Sequence, residues 1–130
     1  MYDLEKIASD LTKRDIDLII CDNAFIKGIN MEHRRKTDST DVLSFPIRSL
    51  EGDPDHIPLG SIIISIDKAN KAATQFGHSV NDEILLLFIH GLLHLLGNDH
   101  ARDNGEMRQK EELLITHYKL PTSLIVRAEG

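Results

Sequence analysis

Between His90 and His100 the chain reads His90-Gly91-Leu92-Leu93-His94-Leu95-Leu96-Gly97-Asn98-Asp99-His100, and this run constrains the fold more than any other. Histidines at i and i+4 of a helix share one face with their Cβ atoms roughly 5–6 Å apart, close enough for two imidazoles to converge on one ion. Gly97 suits a helix end because glycine takes the left-handed conformation easily, and Asn98-Asp99 continues the turn so that His100 can be presented beside the pair. Three imidazoles without a fourth protein ligand leave one coordination position open, as catalytic zinc sites do and closed structural sites do not. The competing reading is a hydrogen-bonded cluster of core histidines. Against it, all three lie in the most apolar part of the chain, where unpartnered imidazoles carry a desolvation cost.

The chain has 130 residues, which predicts one domain with a single core. Its single cysteine, Cys21, excludes an intramolecular disulfide and fits a reducing compartment. Its place at the end of an apolar run predicts a packed thiol without chemistry. The N-terminal residues lack a basic segment followed by an apolar one. The longest apolar stretch, Ile84 to Leu96, is too short to span a bilayer and holds two histidines. A cytoplasmic, soluble protein is expected, with no membrane partner. The formal charge of −6 argues against indiscriminate nucleic-acid binding, which depends on neutralising phosphates, so any RNA contact must be local.

Along the chain, Asp3 can cap a first helix with Leu4, Ile7, Ala8 and Leu11 at helical spacing, running to about Lys13. Ile16 to Cys21 reads as a short buried strand. Asp22-Asn23 can open a second helix with Phe25, Ile26, Ile29 and His33 inward, fading into Arg34-Arg35-Lys36. Thr40 to Pro46 reads as a strand that stops at the proline. After a polar connection from Arg48 to Gly60, Ser61 to Ile66 is the clearest strand, nearly all β-branched. Asp67 can cap a helix that Gly77 ends. Ser79, with Asp82 three residues on, opens the histidine-bearing helix, which is apolar almost all round and therefore central. A last amphipathic helix, from about Asp103 to Tyr118, places Met107, Leu113, Leu114 and His117 among many charges, and Pro121 closes it. The order predicts an α/β or α+β domain over residues 1–130, with a small mixed sheet packed against the metal helix.

Three stretches resemble one family in the right order: Thr40-Asp41-Val42-Leu43-Ser44-Phe45-Pro46, Leu59-Gly60, and the histidine motif with Gly91, Gly97 and Asp99. They are similar to the YbeY family of bacterial metal-dependent endoribonucleases. The resemblance implies zinc on His90, His94 and His100, one ion per chain, and single-stranded RNA as substrate. It also implies a part in ribosomal RNA maturation, especially at the 3′ end of the small-subunit 16S RNA, and in ribosome quality control. Ribosomal subunits or associated proteins are the implied partners, and DNA is not. The family's Leu-Asn-x-x-Tyr-Arg stretch matches Ile29 to Arg34, putting its arginine at Arg34, with His33 in place of the tyrosine. The family commonly has aspartate where this chain has Ser61. Its members usually begin with an extra strand before the first helix, whereas this sequence reaches its first helix almost at once after Met1-Tyr2, so either an edge strand is lost or the start is shortened.

A three-histidine zinc with an open position can bring bound water toward neutral pKa and polarise a phosphoryl oxygen, so hydrolysis is the natural class. Arg34 is the candidate second cation for charge developing on phosphate. Arg35, Lys36, Lys13 and Arg14 could follow the RNA backbone or be ordinary solvated charges. Asp99 could hold an imidazole N–H or only shape the turn. His78 reads as a linker residue. The competing enzyme is a metzincin-like protease, whose His-Glu-x-x-His-x-x-Gly-x-x-His has the same histidine spacing and a downstream methionine, here Met107. That chemistry needs a glutamate where this chain has Gly91, unless another such as Glu106 moves in. The non-enzymatic alternative is a ribosome assembly or RNA-binding factor whose zinc only stabilises the fold.

Overall fold

The computed structural model describes residues 4–34, 41–47, 58–98 and 103–121, leaving aside the side chains of residues 33 and 34. Among these the chain runs α1 (Leu4–Leu11), β1 (Ile16–Cys21), α2 (Asn23–Arg34), β2 (Val42–Pro46), β3 (Gly60–Ser65), α3 (Ile66–Phe76), α4 (Val80–Leu95) and α5 (Glu106–His117). The strands form one mixed sheet in the order β1-β3-β2. β1 lies parallel to β3 from Ile16↔Gly60 to Cys21↔Ser65, and β2 antiparallel to it from Val42↔Ile64 to Pro46↔Gly60. The fold is α+β.

β3 is central because Ile62, Ile63 and Ile64 tolerate burial on both faces, as β-branched side chains on a pleated surface do. Ile62 and Ile64 join the main core under α4, while Ile63 meets Leu43 and Ile26 beneath α2. Gly60 opens the strand where no side chain fits: a Cβ there would stand 2.4 Å from the Phe45 carbonyl oxygen and 2.8 Å from Leu95 Cδ2. β1 differs from the buried strand expected of its sequence. It is an edge strand in this sheet, and Ile19 and Ile20 remain 41% and 46% exposed.

The helices follow their apolar stripes with informative exceptions. In α2, Asp22 caps the first turn by accepting from the Phe25 N–H at 2.8 Å, and Ile26 and Asn30, one turn apart, face the sheet. Phe25, expected inward, is 53% exposed, because it stands about 100° round the helix from Ile26. Ser65, not Asp67, caps α3, its hydroxyl accepting from the Lys68 N–H, and Gly77 ends the helix in the left-handed conformation. Asp67 instead accepts from the Asn23 N–H at 2.8 Å, tying the start of α2 to α3. Ser79 caps α4 through the Asp82 N–H, as expected.

α5 begins after Gly105 rather than at Asp103, whose carboxylate accepts from the Gly105 and Met107 N–H groups. Its buried stripe is Met107, Glu111 and Ile115, so Leu113 is 70% exposed, and His117 also faces outward. Both fall off the i, i+4, i+8 line. α4 is apolar nearly all round, with Leu85 to Ile89, Leu92, Leu93 and Leu95 buried. No helix among the described residues is long and apolar enough to cross a membrane.

Candidate metal centre

The last two turns of α4 carry His90 and His94, and the helix then stops at a glycine. Gly97 takes φ +99°, and the Gly97 and Asn98 N–H groups turn back onto the His94 and Leu93 carbonyls at 3.0 Å each. The reversal brings the Asn98 carbonyl oxygen to 3.0 Å from His94 Nδ1. A carbonyl only accepts, so His94 carries its proton on Nδ1 and turns the Nε2 lone pair away from the turn.

His90 is braced from another element. Its Nδ1 lies 2.9 Å from Glu111 Oε2 on α5, and the glutamate side chain is 1% exposed. A carboxylate there accepts, so His90 turns Nε2 toward His94. The two Nε2 atoms converge at 3.2 Å, with the rings edge to face at a centroid separation of 4.8 Å. Two lone pairs that close repel unless a proton or a cation lies between them. In a tetrahedral zinc site with bonds of roughly 2.0–2.1 Å, neighbouring nitrogens stand about 3.3 Å apart. The pair therefore fits one zinc edge, and each imidazole already has the outer hydrogen bond that metal-ligating histidines use.

His100 and Asp99 lie outside the described residues, as do Arg35, Lys36, His56 and the side chains of His33 and Arg34. Among the described residues no three His, Cys, Asp or Glu side chains converge on one point. The structure thus brings two of the expected ligands together. It also supplies a carboxylate that the sequence reading missed. Glu111 occupies the middle of the α5 stripe Met107-Glu111-Ile115, and an acidic residue at a core-facing position was the available signal.

Gly91 shows why this site is not arranged as in a metzincin. A Cβ at that position would meet Ser44 Oγ at 3.0 Å and Ile62 Cγ2 at 3.1 Å. The position after the first histidine therefore points into the sheet, and the Ser44 hydroxyl donates to the Gly91 carbonyl at 3.0 Å. Glu106, the other carboxylate considered, is exposed and accepts from the Asn104 N–H at 2.6 Å. Met107 is fully buried in the main core.

His78 and Arg14 have structural partners. His78 Nε2 is 2.7 Å from the buried Glu83 carboxylate at the α3–α4 junction, in keeping with a linker role. Arg14 donates to the Pro58 carbonyl at 2.7 Å, which makes it a tether between the start of β1 and the approach to β3. Burial, followed by Asp22 and Asp67, pushes the Cys21 thiol above its ordinary value and disfavours the reactive thiolate.

The comparisons with known proteins converge on one family. The family model described as Endoribonuclease YbeY matches residues 2–119. An Endoribonuclease YbeY of Nautilia profundicola is 58% identical over 126 residues, covering 97% of this chain and 88% of that protein. One of Campylobacter jejuni is 51% identical over 124 residues, covering 95% and 90%. The solution structure of TM1509 from Thermotoga maritima superposes with a TM-score of 0.56 at 26% identity, covering 85% of this chain and 75% of that one. The chain belongs to the YbeY endoribonuclease family.

Proposed function

We propose that this protein is a zinc-dependent endoribonuclease that cuts single-stranded RNA, acting in the maturation of ribosomal RNA at the 3′ end of the small-subunit RNA and in ribosome quality control. Family membership supports the nuclease and its RNA substrate. The observation that carries metal dependence is the convergence of His90 and His94 Nε2 at 3.2 Å, with both Nδ1 atoms held by acceptors. His90, His94 and His100 are the residues that would hold the ion. Bound there, zinc supplies Lewis-acid polarisation of a phosphoryl oxygen and makes water a better nucleophile near neutral pH.

The chain's own residues set the rest. The Asn98 carbonyl and Glu111 fix the imidazole tautomers before any ion arrives. Ser44 and the Gly91 contact fix the height of α4 above β2 and β3, and so the position of both rings. Arg34, at the end of α2, is the proposed second cation, balancing charge that develops on phosphate. With a net charge of −6, RNA contact is confined to such local basic positions, and ribosomal subunits would present the substrate.

The test is cleavage of a labelled single-stranded RNA by zinc-loaded protein beside His94→Ala at matched purity. Cleavage by wild type and loss of at least 100-fold in the variant is the expected result. No cleavage by either, with ribosomal subunits added, would remove the nuclease reading, and equal cleavage by both would trace the activity to a contaminant.

A further inference from the structure

We infer that Glu111 is a positioning residue for the metal-ligating face of His90, and that α5 thereby acts as the clamp of the metal centre. The inference rests on the reading that His90 and His94 hold zinc. Three observations carry it. Glu111 is 1% exposed, and an acidic side chain is almost never buried so fully without a partner. Its partner is His90 Nδ1 at 2.9 Å, across 21 positions of sequence and from a different helix.

The third observation concerns the neighbouring residue. Lys110 Nζ donates to Asn98 Oδ1 at 3.0 Å, and Asn98 is the residue whose backbone carbonyl holds His94 Nδ1. Two consecutive residues of α5 therefore brace both histidines, one directly and one through the turn. An acceptor on Nδ1 keeps the Nε2 lone pair available and stops the ring from rotating about its χ angles. A purely structural buried pair would need none of this aim; it would be satisfied with either ring nitrogen. Here the nitrogen turned toward His94 Nε2, at 3.2 Å, is the one opposite the carboxylate.

The experiment measures zinc affinity by competition with a chromophoric chelator for the full chain, Glu111→Gln, Glu111→Leu, Lys110→Ala and His94→Ala. The visible spectrum of the Co2+-loaded protein and the thermal melt without metal are recorded alongside. Outer-shell partners of ligand histidines are typically worth 10–100-fold in metal affinity. The expected result is a loss of roughly that size in Glu111→Leu, a smaller loss in Glu111→Gln, whose amide oxygen still accepts from Nδ1, and an altered Co2+ spectrum in both. Lys110→Ala is expected to weaken binding least. Glu111→Gln keeps the volume and a hydrogen bond, so it reports even if Glu111→Leu fails to fold. Wild-type affinity and spectrum in Glu111→Gln and in folded Glu111→Leu, with binding lost in His94→Ala, would overturn the role of Glu111 alone. Absence of tight zinc binding by wild type, or undiminished binding by His94→Ala, would overturn the zinc reading and this inference with it.

Discussion

At the residue scale, the most demanding position is Gly91. The side chain of any other residue would enter a space already held by Ser44 Oγ at 3.0 Å and Ile62 Cγ2 at 3.1 Å, both on strands that cannot retreat without disturbing the sheet. Gly91→Ala is expected to destabilise by about 1–3 kcal/mol through overpacking, despite alanine's better helix propensity. Ser44→Ala, which removes the hydroxyl and its bond to the Gly91 carbonyl, should cost about 1 kcal/mol. Because the two sites touch, the double variant should lose less than the sum, and urea unfolding of all four proteins measures the difference. The His90–His94 pair was legible because its spacing is local. Glu111 was not, since its bond to His90 spans two helices and no sequence period connects residue 90 to residue 111.

At the element scale, a hydrogen bond from the Tyr118 hydroxyl to Asp10 Oδ2 at 2.5 Å joins α1 to the C-terminal end of α5. Asp10 also accepts from Lys6 one turn earlier. That bond first, and Tyr118 second, hold its carboxyl below the ordinary carboxylate range. The folded value lies below the unfolded one, so the contribution to stability is present above the usual aspartate pKa and is lost as pH falls through the folded value. Tyr118→Phe should therefore be less stable than wild type at pH 6, with the gap narrowing as pH drops below about 4. Thermal melts across that range check it. Element types were readable from periodicity and caps, yet facing was less so. Leu113 and Phe25 are apolar and point outward, whereas Glu111 and Asn30 are polar and point inward, because tertiary partners outrank hydropathy at single positions.

At the scale of the whole molecule, a metal held by His90, His94 and His100, as proposed, would stabilise the native state. Zinc at 100 times its dissociation constant should add about 2.7 kcal/mol and raise the melting temperature by on the order of 10 °C. A chelator should reverse the shift, and His94→Ala should not show it. The sheet order was not readable from the chain, because strands of similar length give no sign of which will be central. That order has a consequence for synthesis. Among the described residues β1 and β2 share no ladder with each other, and each pairs with β3, which follows both. At roughly 5–20 residues per second, Ile16 leads Gly60 off the ribosome by about 2–9 s. For that interval two strand-forming segments, one of them carrying Ile19-Ile20-Cys21, travel without their template.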